Sequence, residues 1–277
     1  MDFQTPNDAD KRPIMLWSVP RSTSTAFERA FMQREDTYVF HEPFGESYYY
    51  GPEHLSSRYS DKQRAASNSK DLTYSDVLRQ LLRSHQESDG KRCVAKDMAG
   101  YVVKSEKVKS SPRANPTVFS DEELKKFRHT FLIRTPEKSI SSYYRTTLGD
   151  CGKDFGSFDP NEAGFAELTA LLDYTKRILP NDPVVVLDSA DLIREPEKSL
   201  RAFCQGVGIP FQESMLQWEA GHVSTFDKWK GWHDDVEKST GFKEVKREKI
   251  ELPEHVKKCI EDNIPIYEAL KEQKLTI

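Results

Sequence analysis

Apolar residues in this chain fall into short continuous runs separated by stretches in which they recur at helical intervals. Ile14, Met15, Leu16, Trp17 and Val19 form the first run, which suits a strand buried on both faces. Pro20 ends it, and Ala26, Phe27, Ala30 and Phe31 then repeat at the spacing of one helix face. A short run follows at Tyr38 to Phe40. Val77, Leu78, Leu81 and Leu82 predict a helix over 75–85, and 92–95 a strand. Ser120 with Glu123 is a capping-box pattern, after which 129–134 reads as a buried strand leading into a helix that starts near Pro136. Phe165, Leu168, Leu171, Leu172 and Ile178 predict a helix across 163–179, and Val184 to Leu187 is the most β-prone run. Pro196 opens a helix that should stop at Gly206 or Gly208.

Strands alternating with helices imply parallel strands joined by right-handed crossovers, hence a single-domain three-layer α/β/α fold over 1–277 with a central parallel sheet. Residues 1–12 read as a polar N-terminal tail, 105–119 as a mobile surface loop with two prolines, and 222–244 as a loop suited to a lid. In such a sheet ligands gather at the strand C-terminal ends. Three candidate strands end there in chemistry-bearing residues: Pro20 and Arg21, Lys96 and Asp97, and Arg134.

Composition narrows the function classes. A formal net charge of −4 argues against a general nucleic-acid binder, so an anionic ligand must be held by local cations. No 18-residue apolar span suits a membrane helix, and the polar start lacks the apolar core of a secretory signal, so a soluble cytoplasmic protein is expected. Cys93, Cys151, Cys204 and Cys259 are scattered without a Cys-x-x-Cys pair, so neither a zinc site nor a disulfide framework is signalled, and no metal is expected. A homodimer is allowed.

The turn between the first strand and its helix carries the strongest chemistry. At a helix N-terminus the unpaired N–H groups and the helix dipole favour a phosphate, and Ser22, Thr23, Ser24 and Thr25 add hydroxyls beside the fixed charge of Arg21. Ser and Thr are also ordinary N-caps, and an Arg near a helix start is often a surface charge; the strand–turn–helix context favours the anion site. The turn lacks the glycines and lysine of a Walker A loop. Ser142 follows Arg134 by eight residues, so a helix starting near Pro136 can turn both toward a shared anion.

These paired motifs resemble those of the P-loop-fold sulfotransferases that use 3′-phosphoadenosine-5′-phosphosulfate (PAPS). In that family a Pro-Lys/Arg-Ser-Gly-Thr-Thr/Ser loop holds the 5′-phosphosulfate, which here is Pro20, Arg21, Ser22, Thr23, Ser24 and Thr25, in the form with arginine in place of lysine. The second family motif, an Arg followed by Ser and Tyr, binds the 3′-phosphate and is matched by Arg134, Ser142 and Tyr143. Residues 184–210 resemble the third strand and following helix, and the likeness spans roughly 13–245. Lys230, Trp232 and Ser239 are, by the same resemblance, phosphate or base contacts from the lid. The resemblance implies sulfuryl transfer from PAPS, with 3′,5′-ADP as product, to a hydroxyl or amine of a small molecule. Thr23 stands at the usual Gly, so backbone approach to the phosphate depends on φ there. Ala26 replaces an adenine-packing Trp of some members, and Ser189 and Ala190 replace a Tyr-Glu pair.

Charge builds on the bridging oxygen as the sulfuryl unit leaves, so Arg21 is expected as an electrostatic clamp. For the base, Glu42 is the first choice, because Arg-type members of the family use a Glu after the first helix; Asp97 is the second and His41 the third. Tyr48, Tyr49 and Tyr50 with Phe44 suggest an aromatic acceptor wall. Two rivals remain: a nucleotide kinase using Asp97 or Asp188 for Mg²⁺, and a protein of this fold that binds or rearranges a metabolite without sulfonating it.

Overall fold

The computed structural model describes residues 10–277 except 112 and 246–249, so the first nine residues of the expected tail lie outside the described residues. The chain runs β1 (Ile14–Ser18), α1 (Ser24–Met32), β2 (Thr37–His41), α2 (Gly45–Tyr49), α3 (Asp61–Ala66), α4 (Tyr74–Gln86) and β3 (Arg92–Met98). It continues through α5 (Ser105–Ser110), α6 (Asp121–Leu124), β4 (Arg128–Ile133), α7 (Pro136–Leu148), α8 (Cys151–Phe155) and α9 (Phe165–Ile178). Then follow β5 (Val186–Asp188), α10 (Ser189–Arg194), α11 (Pro196–Val207), α12 (Asp234–Glu237) and α13 (Glu254–Lys271).

The five strands form one sheet in the order β2-β3-β1-β4-β5, with every pairing parallel. β1 is central, flanked by β3 and β4, and all five of its residues are buried, as its near-continuous apolar run requires. Side chains alternate between the two faces. Ile14 and Leu16 join Phe27, Phe31 and Phe203 from α1 and α11, whereas Met15 and Trp17 join Leu81 of α4, Leu168 of α9 and Tyr267 of α13. These two apolar layers make the three-layer architecture that the alternation of runs implied. Trp17 Nε1 donates to His129 Nδ1 at 2.9 Å, so His129 carries its proton on Nε2 and donates to the Leu124 carbonyl. That bond ties β1 to the entry of β4.

Two boundaries differ from the periodic reading. The last strand begins two residues after Val184, because Val184 lies outside the parallel ladder with β4, and β3 runs on through Lys96 and Asp97 instead of ending before them. The 105–119 segment, expected as a mobile loop, contains α5 and returns through a bridge between Val103 and Thr117 to bury Thr117 and Phe119. Its anchors are too few for any period to show. The Ser120–Glu123 capping box forms as read and starts α6, a single turn.

Candidate functional site

The loop between β1 and α1 is bent twice into the left-handed region, at Arg21 (φ 63°) and Thr23 (φ 72°). A β-branched residue is rarely found there, and such strain persists only where the surroundings hold it. Thr23 is held by a 2.6 Å bond between its hydroxyl and that of Ser189 at the start of α10. Arg21 is held by Arg134, whose Nη1 donates to the Arg21 carbonyl at 2.6 Å. The expected Gly position thus has the glycine-like φ with a threonine in it. Ala26 and Phe27 N–H close the first helical turn onto the Thr23 carbonyl, which leaves the N–H groups of Ser24 and Thr25 without intrahelical partners. The Ser22 hydroxyl is buried and has no hydrogen-bond partner, and Ser22 borders the cavity described below.

Because β1 and β4 are adjacent and parallel, the residues after each emerge side by side. Arg21 Nε donates to Ser142 Oγ on α7 at 3.2 Å, and its Nη1 donates to the Trp232 carbonyl. The Arg21 guanidinium lies 5.9 Å from the Trp232 ring centre. Arg21 therefore faces the same cavity of about 880 Å³ as Arg134 and Ser142, which lie more than a hundred residues further along the chain. Its walls include 20–26, Glu42, Tyr48, Tyr49, Tyr101 and Trp229.

Beneath that cavity lies a buried set of charged and titratable side chains. Glu42 sits just past β2 with φ 42°, a third left-handed residue at the site. Its Oε1 accepts from Lys96 Nζ at 2.5 Å, and Lys228 Nζ donates to its carbonyl at 2.8 Å. Burial alone would raise the Glu42 pKa, but Lys96 brings it below the ordinary carboxylate value. Asp97 accepts from the backbone N–H groups of Phe44 (2.7 Å) and Met98 (2.8 Å). Burial and the Glu42 charge push its pKa up to about 7. His41 Nδ1 meets Glu28 Oε2 at 2.7 Å and its Nε2 meets His233 Nε2 at 3.1 Å. Donor atoms of His41, Glu42 and His233 lie within 4.8 Å of one another, the spacing of a three-ligand metal cluster, but the Lys96 ammonium already neutralises that carboxylate.

Of the residues singled out from sequence, Pro20 to Thr25, Arg134, Ser142, Trp232, Ser239 and Glu42 border the cavity. Asp97 and His41 do not: Asp97 holds the turn that carries Glu42, and His41 is enclosed between Glu28 and His233. Lys230 is exposed and outside the lining, and its neighbour Lys228 points inward instead, pairing with Glu46 at 3.3 Å. Ser239 accepts from Trp218 Nε1 at 3.1 Å. In the 222–244 segment, expected as a lid, Ser224–Trp229 forms a 3₁₀ stretch and α12 follows at Asp234.

On the aromatic side Tyr48 and Tyr49 line the cavity, whereas Phe44 is core beside Trp17 and Tyr50 stacks on Tyr59. Tyr101 stacks on Tyr48 with ring centres 4.7 Å apart, and Trp229 meets Tyr49 edge-on. A Cβ on Gly45 would come within 2.8 Å of the Trp229 ring, so that glycine admits the tryptophan. Tyr101 and Glu28 escaped the sequence reading, since each is an isolated polar or aromatic residue without a motif around it, and Lys96 was read as a strand-end residue without its buried partner Glu42. His233 was visible only as one member of a mixed lid composition.

Comparison with known proteins places these features. A family model described as a sulfotransferase domain matches residues 12–274. Over 260 residues the chain is 28% identical to branched-chain-amino-acid aminotransferase-like protein 2 of Arabidopsis thaliana, a match covering 93% of this chain and 41% of that protein. It is 28% identical over 123 residues to sulfotransferase ppzF of Metarhizium majus, covering 39% of this chain and 35% of that one. The chain thus spans well under half the length of these curated relatives. Among solved structures, a sulfotransferase from Alicyclobacillus acidocaldarius aligns with a TM-score of 0.46 at 14% identity, covering 82% of this chain and 92% of the other. Among the described residues no helix is long and apolar enough to cross a membrane.

Proposed function

The chain belongs to the sulfotransferase domain family, and from that premise we propose that it transfers a sulfuryl group from PAPS to a hydroxyl or amine of a small-molecule acceptor, leaving 3′,5′-ADP. The observation that carries this reading is the meeting of Arg21, Arg134 and Ser142 on one cavity that Glu42 and the aromatic side chains also line. The 20–25 turn would hold the 5′-phosphosulfate with its N–H groups, the Ser22 hydroxyl and Arg21. Arg134 and Ser142 would take the 3′-phosphate. Arg21 is always charged, so it offsets negative charge on the leaving phosphate oxygen without giving up a proton.

In the transfer the sulfur–oxygen bond to the phosphate breaks with its electrons on the phosphate oxygen, and a bond from sulfur to the acceptor forms. The acceptor proton passes to Glu42, which is ionised at neutral pH beside Lys96 and faces the cavity. Tyr48, Tyr49, Tyr101 and Trp229 would seat an acceptor with an apolar or aromatic body. We read the chemistry as needing no metal. Asp188, the strand-end carboxylate a kinase would use, is spent on the Ala190 N–H and the Tyr267 hydroxyl, and Asp97 is spent on two backbone N–H groups. The thiols of Cys93, Cys204 and Cys259 are free and buried, which fits a reducing compartment, and we place the reaction in the cytoplasm.

Calorimetry with 3′,5′-ADP tests the nucleotide site: the protein should bind it, and Arg21→Ala and Arg134→Ala should each lose at least tenfold in affinity. No binding at millimolar nucleotide ends the PAPS reading. Glu42→Gln should keep the nucleotide and lose turnover of labelled PAPS by roughly a hundredfold; unchanged turnover removes Glu42 as the base.

A further inference from the structure

A buried chain of hydrogen bonds runs from the floor of the site into the anion-binding turn. Glu28 Oε2 meets His41 Nδ1 at 2.7 Å, His41 Nε2 meets His233 Nε2 at 3.1 Å, and His233 Nδ1 meets Thr25 Oγ1 at 3.1 Å. All four residues are buried, and they come from α1, the end of β2 and the lid segment. Burial lowers the pKa of His41 to about 3 and that of His233 well below its ordinary value, so both rings are neutral and each carries one N–H.

One N–H per ring allows only two arrangements of the whole chain. When Glu28 is a carboxylate it accepts from His41 Nδ1–H. His41 Nε2 must then accept from His233 Nε2–H, His233 Nδ1 is left a bare lone pair, and the Thr25 hydroxyl has to spend its proton on it. When Glu28 is protonated every bond reverses. Its O–H donates to His41 Nδ1, His41 Nε2–H donates to His233, and His233 Nδ1–H donates to Thr25 Oγ1. The Thr25 proton is then released, and Thr25 borders the anion cavity.

We propose that Glu28, His41 and His233 form a one-proton switch that decides whether the Thr25 hydroxyl donates to the anion held in the 20–25 turn or is turned away from it. The switch rests on the reading of that turn as the PAPS phosphate site. Glu28, His41 and His233 are positioning residues, acting through Thr25. Glu28 Oε1 is buried without a partner, which a neutral carboxyl tolerates far better than a carboxylate. Facing this group are Lys96 Nζ from β3, 3.8 Å from Oε2, Arg29 on its own helix and Glu42 beyond Lys96. Lys228 bears on His41, and Arg21 on His233. Burial outweighs the attraction of Lys96 and Arg29 and pushes the Glu28 pKa up to about 8. The donating arrangement is therefore the neutral-pH form, and it is lost as the pH rises through about 8.

The test is calorimetric titration of the whole chain with 3′,5′-ADP between pH 7.5 and 9.5, where both phosphates are already fully ionised. Affinity should fall roughly tenfold in total and then level off, the worth of one hydrogen bond to a charged group. Near pH 8, buffers of different ionisation enthalpy should reveal proton uptake on binding. Glu28→Gln, whose amide N–H₂ can donate permanently to His41, should bind as the wild type does at pH 7.5 and show no step. Thr25→Val should bind roughly tenfold more weakly at pH 7.5, also without a step, and serves if the Gln variant fails to fold. A constant wild-type affinity with no proton uptake overturns the switch alone, as does a step that persists in either variant. No binding at any pH overturns the nucleotide site beneath it.

Discussion

Replacing Lys96 by Met probes the pair on which the proposed base depends. The Lys96 ammonium is 1% exposed, 2.5 Å from Glu42 Oε1 and 3.8 Å from Glu28 Oε2. Glu28 is protonated at neutral pH, so the substitution orphans one carboxylate, that of Glu42, which is itself only 5% exposed. Removing one partner of such a pair costs about 3–5 kcal/mol, most of it the price of a lone buried charge. A loss near 4 kcal/mol is roughly a thousandfold in the folded-to-unfolded ratio, and a domain of ordinary stability survives it at 25 °C. Urea unfolding at pH 7 reads the loss from the shift in midpoint at constant slope. Glu42 would relieve its isolation by taking a proton, so the acid limb of the pH–rate profile should move upward in the variant. The double variant Lys96→Met with Glu42→Gln should recover most of the stability and none of the turnover. A loss under about 1 kcal/mol with the acid limb unmoved would refute both the buried pair and the catalytic carboxylate.

The strained turn and the buried ionisable groups give two further expectations. Thr23→Ala keeps the left-handed backbone and loses the Ser189 bond, so it should cost about 1 kcal/mol in urea unfolding. Thr23→Gly loses the same bond but relieves about 1–2 kcal/mol of strain against about 0.5–1 of added chain entropy, so it should stay close to wild type. Alanine as stable as glycine would mean that φ at 23 is not left-handed. Stability against pH follows from the raised carboxyls and depressed imidazoles together. Glu28 and Asp97, raised to about 8 and about 7, hold protons that the unfolded chain has released, so stability falls as the pH climbs from the ordinary carboxylate range through 8. His41, His129 and His233 stay neutral while their unfolded counterparts bind protons below 6.5, so stability also falls as the pH drops from there. Three imidazoles outweigh two carboxyls below 6.5 and only the carboxyls act above it, which sets the maximum at about 6.5. Thermal unfolding at pH 5, 6.5 and 8.5 checks this, and highest stability at pH 8.5 contradicts it.

The sheet and its first turn were legible because their signals are local. A near-continuous apolar run buried on both faces, a proline and a helical repeat lie within eighteen residues, and the alternation that follows admits one layer architecture. Local rules also named Arg21, Arg134 and Ser142. That these three meet was decided by the placing of β4 directly beside β1, a pairing between segments more than a hundred residues apart that no period encodes. The same holds more strongly for the floor of the site. Glu28 reads as one polar residue in an amphipathic helix, and Lys96 as the polar end of a strand. Only packing brought His233, 192 residues from His41, into contact with it and closed water away from both carboxylates. Sequence by itself determined which residues bear charge and where the strands and the helices α1, α4, α7, α9 and α11 lie. Tertiary structure decided which charges are buried together, and burial is what moves a proton from one group to the next, because the cost of desolvating a charge depends on everything packed around it.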